Sequence, residues 1–173
     1  TYTSKGGFYW AGAYVCDDFL LVGTDDGQAG YLSDSASLLC LDAKSGAELD
    51  RIDGLRGDIR SNISHADGRY YFTSKGGYFY SVAVNKAADG TITLDKAGFK
   101  PLYLDNGGND RSKPPMSTCT PVVYNGRAYI GVSGTSQFGA YSGHNITVID
   151  LSSNTIAYTV PTQGYPQTSG LLT

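Results

Sequence analysis

The feature that most constrains this chain is a strand–turn unit that occurs three times within 173 residues. The first copy is Asp18-Phe19-Leu20-Leu21-Val22-Gly23-Thr24-Asp25-Asp26-Gly27. Gly68-Arg69-Tyr70-Tyr71-Phe72-Thr73-Ser74-Lys75-Gly76-Gly77 lies 50 positions later, and Gly126-Arg127-Ala128-Tyr129-Ile130-Gly131-Val132-Ser133-Gly134 follows after a further 58. Each copy is a polar turn, a short aromatic or aliphatic run, then a glycine-bearing turn, the pattern of a buried strand between two turns. Repeats with a period of tens of residues mark stacked or radial architectures, because each unit buries its apolar faces only against its neighbours.

A second strand follows each copy, over Ser37 to Asp42, Tyr78 to Val84 and Asn145 to Asp150. Next come Asp42-Ala43-Lys44-Ser45-Gly46, Asn85-Lys86-Ala87-Ala88-Asp89-Gly90 and Asp150-Leu151-Ser152-Ser153-Asn154. Asp and Asn side chains hydrogen-bond their own backbone, and Gly or Asn tolerates positive φ, so these read as hairpin turns. An outer strand closes each unit, over Glu48 to Ile52, Thr91 to Asp95 and Thr155 to Val160. Ahead of each unit lies a small-residue segment suited to a crowded innermost strand: Ala11-Gly12-Ala13, Ser61-Asn62-Ile63-Ser64 and Ser117-Thr118-Cys119-Thr120-Pro121. A fourth such segment begins at Ser169-Gly170-Leu171-Leu172-Thr173.

Tandem four-stranded antiparallel units are what the blades of a β-propeller require. The expected class is all-β, with almost no helix, since no stretch carries a 3.6-residue apolar period. The expected architecture is a partial propeller of about three blades plus the first strand of a fourth, with blades near 8–57, 58–112 and 113–168. It reads as one segment of a longer propeller or protein.

The stretch Leu38-Leu39-Cys40-Leu41-Asp42-Ala43-Lys44-Ser45-Gly46-Ala47-Glu48-Leu49 resembles the repeat signature of the PQQ-like (quinoprotein-type) β-propeller family. The match covers Leu41, Asp42, Ala43, Lys44, Gly46, Glu48 and Leu49; it departs where the family places a docking Trp, because position 50 is Asp50. The second copy keeps Val84-Asn85 and Gly90, and the third keeps Val148-Ile149-Asp150-Leu151. The resemblance implies an exported bacterial protein, in the periplasm, at the cell surface or extracellular.

The formal charge of −3 is spread along the chain with no Lys/Arg cluster, which argues against nucleic acid as a partner. No apolar run is long enough for a transmembrane helix. Open blade edges invite pairing, and a homodimer through those edges is one way to close the ring. Cys16, Cys40 and Cys119 are odd in number and widely spaced, the pattern of buried free thiols, with a Cys16–Cys40 bridge as the alternative.

Calcium is the one metal the sequence suggests. Asp105, Asn106, Asn109 and Asp110 place four oxygen-bearing side chains within six residues around two glycines, although the EF-hand spacing is absent. Asp25-Asp26-Gly27 reads as a solvated acidic turn. His65 and His144 have no reason to converge on a metal. Serine hydrolysis lacks its Gly-x-Ser-x-Gly elbow, and Lys5-Gly6-Gly7 and Lys75-Gly76-Gly77 adjoin no helix that would cradle a phosphate. The aromatic runs Tyr70-Tyr71-Phe72 and Tyr78-Phe79-Tyr80 are expected in the core, with Tyr70 and Phe72 on one face and Tyr71 on the other. Phe138, Tyr141 and Tyr165 are the candidate partner contacts.

Two functions follow. One is a non-catalytic module for protein or glycan recognition or scaffolding, using the segments Gln28 to Ala36, Phe99 to Met116 and Thr135 to Gly143 as its contact surface, with no cofactor. The other, implied by the resemblance, is a PQQ- and calcium-dependent dehydrogenase. PQQ is not expected: family dehydrogenases cap it with an adjacent Cys–Cys disulfide, and this chain has no such pair.

Overall fold

A computed structural model describes residues 1–28, 32–104, 114–133 and 144–170. Thirteen strands and no α-helix occur among these residues. The first sheet orders β1 (Tyr14–Val15), β2 (Phe19–Gly23), β3 (Ala36–Asp42) and β4 (Glu48–Leu55) as an antiparallel meander. The second holds β5 (Ser64–Ala66), β6 (Arg69–Thr73), β7 (Tyr78–Lys86), β8 (Ile92–Leu94) and β9 (Lys100–Tyr103). The third is β10 (Val122–Tyr124), β11 (Arg127–Val132), β12 (Asn145–Asp150) and β13 (Thr155–Pro161). All three sheets are open, and together they form a partial β-propeller.

The signature turn forms as its chemistry dictates. The Asp42 carboxylate accepts from the Lys44 and Ser45 amides at 3.1 and 2.6 Å, and Gly46 takes the left-handed φ of 74° that closes the hairpin. Asp150 repeats the device with Ser152 and Ser153, and Asn154 at φ 54° stands in for the glycine. The Asp67-Gly68 and Asn125-Gly126 pairs both sit at positive φ, as the tight turns between β5 and β6 and between β10 and β11 require.

Strand alternation then builds the inter-sheet cores. Tyr70, Phe72, Tyr80 and Val82 pack against Phe19, Leu21, Leu38 and Cys40 of the first sheet. Tyr71 and Phe79, on the opposite face, pack with Ala128, Ile130, Val132 and Ile149 of the third. Both faces of the middle sheet are therefore buried. The third sheet leaves Tyr158 and Val160 exposed on its outer strand.

The structure corrects three expectations. The outer strand expected over Thr91 to Asp95 is split into β8 and β9, which pair with opposite halves of β7. Lys100–Tyr103 thus belongs to the sheet rather than to a free contact surface, and Pro101, which has no amide to donate, is tolerated there because β9 is an edge strand. The small-residue segments precede the inner strands instead of forming them, with only Ser64 reaching into β5. Their hydroxyls replace the missing ladder: Ser61 Oγ accepts from the Thr73 amide at 2.9 Å, and Ser117 Oγ donates to the Gly131 carbonyl at 2.8 Å. At the fourth such segment, Ser169 and Gly170 lie outside any strand, and 171–173 lie outside the described residues.

The cysteines are all free thiols, so no Cys16–Cys40 bridge forms; Cys16 is exposed, Cys40 and Cys119 buried. Burial, with the nearby Asp50 carboxylate adding to it, pushes the Cys40 thiol up to about 12. Asp50 itself docks the first sheet to the second. Its carboxylate accepts from the Leu94 amide at 2.8 Å and from Lys96 Nζ at 2.7 Å.

Candidate functional site

Each meander has two unlike ends. Connections β1–β2, β3–β4, β5–β6, β7–β8, β10–β11 and β12–β13 share one end and are tight turns. The links between sheets and the β2–β3, β6–β7 and β11–β12 connections emerge at the other end, where most run longer. Backbone hydrogen bonds tie that end together in a repeated pattern. Within a sheet, the Asp25, Lys75 and Ser133 amides donate to the carbonyls of Gly7, Asp58 and Met116. Between sheets, the Ile59 amide donates to Thr24 and the Ser117 amide to Ser74. Close packing follows: a Cβ at Gly23 would overlap Ile59, and one at Gly131 would overlap the Pro166 carbonyl.

This belt places Trp10, Arg60 and Thr118 at corresponding positions, each four residues ahead of an inner strand that begins at 14, 64 or 122. All three line a cavity of about 360 Å3, together with Lys75, Met116, Tyr165, Gln167 and Thr168. Its wall therefore comes from the segments leading into three successive sheets, the β6–β7 connection and the segment that follows the third sheet. Trp10 is 73% exposed and holds φ 63°, a left-handed conformation that is a steric outlier for a bulky side chain. Its ring lies 4.9 Å from that of Tyr9, and the Arg60 guanidinium sits 4.6 Å from the Tyr9 centroid and 5.5 Å from that of Trp10.

A buried charge cluster holds Arg60 in place. Its Nη2 is 2.9 Å from Asp25 Oδ2 and 2.8 Å from Asp58 Oδ2, and Lys75 Nζ is 3.7 Å from the same Asp58 oxygen. Asp58 is fully buried and its Oδ1 accepts the Asp26 amide at 3.0 Å. The Asp26 carboxylate accepts the Gln28 and Ser33 amides, each at 2.8 Å, and so closes the start of the β2–β3 connection. Burial raises the Asp58 carboxyl above its usual value, against the pull of the Asp26 amide and Arg60. Burial, reinforced by Arg60, lowers the Lys75 ammonium.

Of the residues expected to carry function, Asp105, Asn106, Asn109, Asp110, Phe138 and Tyr141 lie outside the described residues. Tyr165 is half-buried and anchors the last segment: its hydroxyl accepts from the Thr118 amide at 2.9 Å and pairs with Thr118 Oγ1 at 3.1 Å. The acidic turn is not solvated: Asp25 is ion-paired with Arg60, and Asp26 is buried with its carboxylate accepting backbone amides. His65 stacks on Tyr70 at 4.5 Å and His144 on Tyr165 at 6.3 Å. Sequence reasoning missed Trp10, Arg60, Asp58 and Lys75. The single tryptophan within Phe8-Tyr9-Trp10 was the one local signal.

No known family model matches the chain, and no curated protein matches it. Solved structures do. It is similar to a quinohemoprotein alcohol dehydrogenase from Comamonas testosteroni (TM-score 0.62, 12% identity, 94% of this chain and 23% of that one). It is similar to the Dos1 propeller (0.60, 13%, 86% and 34%) and to a europium-containing methanol dehydrogenase (0.58, 14%, 88% and 24%). The chain thus has a β-propeller fold, and it spans about a quarter to a third of the length of those structures. Asp25 and Asp58, behind the cavity wall, are engaged by Arg60 and Lys75, and no group of three or more His, Cys, Asp or Glu that could hold a metal occurs among the described residues.

Proposed function

We propose that the chain is part of a non-catalytic propeller module of an exported or cell-surface bacterial protein, and that it recognises a glycan or protein through the end bearing the longer connections. The observation that carries this is the cavity whose wall is drawn from the connecting segments of three successive sheets, with the exposed, left-handed Trp10 at its mouth. Strained residues concentrate where a binding surface needs them, and rigid scaffolds carry recognition on their connections. The engaged carboxylates favour recognition over a metal-assisted oxidation. Export rests on the repeat resemblance and on the 17% charged content.

The test compares three chains on arrays of glycans and purified envelope proteins: the parent, Trp10→Asp at the long-connection end and Lys44→Glu at the hairpin end. Binding that only Trp10→Asp loses supports the module. Absence of binding, together with dye-linked alcohol oxidation on adding PQQ and calcium, overturns it.

A further inference from the structure

We infer that the Trp10 cavity binds a pyranose ring of a neutral carbohydrate, an inference that rests on the recognition reading above and names its ligand. A sugar ring presents C–H bonds on its faces and hydroxyls around its edge, so it needs a flat aromatic platform bordered by small donors and acceptors. The mouth of the cavity has both. Trp10 and Tyr9 form a tilted pair at 31°, and Arg60, clamped from behind by Asp25 and Asp58, lies against both rings. The rings are thereby held in place before any ligand arrives, which reduces the ordering cost of binding. Despite these contacts Trp10 keeps 73% of its surface exposed.

Around the platform stand Thr118, Gln167 and Thr168, two hydroxyls and an amide that donate and accept alike. Charge selects the ligand class further. Arg60 and Lys75 are matched by Asp25 and Asp58 within one cluster, so the wall carries no net positive charge to favour an acidic sugar. The cavity, at about 360 Å3, falls within the range of small-molecule sites. Trp10 also retains a backbone conformation that glycine would adopt without strain, which is expected where the ring itself is needed.

Trp10 is the only tryptophan among 14 tyrosines, so selectively excited tryptophan emission reports on this site alone. The parent chain is titrated with cellohexaose, xylohexaose, mannohexaose, chitohexaose and, as the acidic control, hexagalacturonate. The expected result is a saturable change in emission with at least one neutral hexasaccharide, weakened about tenfold in Gln167→Ala, an exposed position whose truncation leaves the fold intact. Thr118→Val gives a second variant, and circular dichroism checks that both are folded. A response to hexagalacturonate alone overturns the neutral-sugar inference. No response to any saccharide, with Trp10-dependent binding on the protein array, overturns the inference and leaves the recognition reading standing. No response on either overturns both.

Discussion

The two ends of the blades are built from the same strands yet solve opposite problems. At the hairpin end each turn is satisfied by its own residues: Asp42 and Asp150 cap their turns, and Gly46, Asp67-Gly68, Asn125-Gly126 and Asn154 supply positive φ where short turns demand it. At the other end satisfaction is long-range. Asp25, Asp58, Arg60 and Lys75 come from two sheets and meet in one buried cluster, and a tryptophan is left strained at its edge. The hairpin end spends little stability and presents little chemistry. The other end accepts buried charge and backbone strain, and it is there that the cavity forms.

That contrast can be broken most forcefully at Asp58. Asp58→Ala leaves Arg60 and Lys75 buried beside each other with Asp25 as the remaining acid of the cluster. Removing one partner of a buried ionic group costs about 3–5 kcal/mol, and the fall in stability should appear in urea unfolding. Asp42→Ala, which removes a solvent-facing turn cap at the hairpin end, should cost far less in the same assay. Equal losses at the two positions would erase the distinction.

Asp50 comes next. Asp50→Asn should cost about 2 kcal/mol at neutral pH, since it weakens charge-assisted bonds to the Leu94 amide and Lys96. Burial opposes the charged form of Asp50, but hydrogen bonds from Lys96, Leu94 and Arg51 outweigh it, so its carboxyl is depressed in the folded state. A depressed carboxyl stabilises the fold fully above the unfolded value, about 3.9, and loses that contribution as pH falls through the lower folded value. The difference in melting temperature between parent and Asp50→Asn should therefore shrink below about pH 4.

Asp58 carries the opposite sign. Its raised carboxyl makes its contribution greatest below the unfolded value and diminishes it as pH rises through the folded one. Lys75, lowered by burial, contributes most above its unfolded value and loses that as pH falls. Asp50 and Asp58 should thus show opposite pH trends across the acid limb, which parallel melts from pH 3 to 7 would detect, roughly spanning the carboxylate range.

The smallest effects sharpen the comparison instead of breaking it. Trp10→Gly and Asn154→Gly each place glycine at a positive φ, one at either end. A left-handed residue with a Cβ costs about 1–2 kcal/mol, less for Asn, whose side chain bonds locally. Both variants should be no less stable than the parent, with the larger gain at Trp10.

Much of this fold was legible because its information is local. Asp-Ala-Lys-Ser-Gly states a hairpin within five residues, and alternation along Tyr70-Tyr71-Phe72 placed two rings in one core and the third in the other. The split outer strand was not legible. Lys100-Pro101-Leu102-Tyr103 contains a proline and no alternation, and only its position against Tyr78 to Ser81 makes it a strand. The site was the least legible of all. Residues 10, 25, 58, 60, 75 and 118 share no motif, and what brings them together is the equivalence of successive blades, which the small-residue segments hinted at but misplaced. The acidic turn at Asp25 was read as solvated because its partner Arg60 lies 35 positions away.

The most direct test of the central claim, that the long-connection end is the binding end, sets Trp10→Gly against Asn154→Gly on the same glycan and protein arrays, with thermal melts alongside. The account predicts that both variants melt at or above the parent and that only Trp10→Gly loses the bound ligand. Ligand retained by Trp10→Gly and lost by Asn154→Gly would contradict it, and would move the functional surface to the hairpin end.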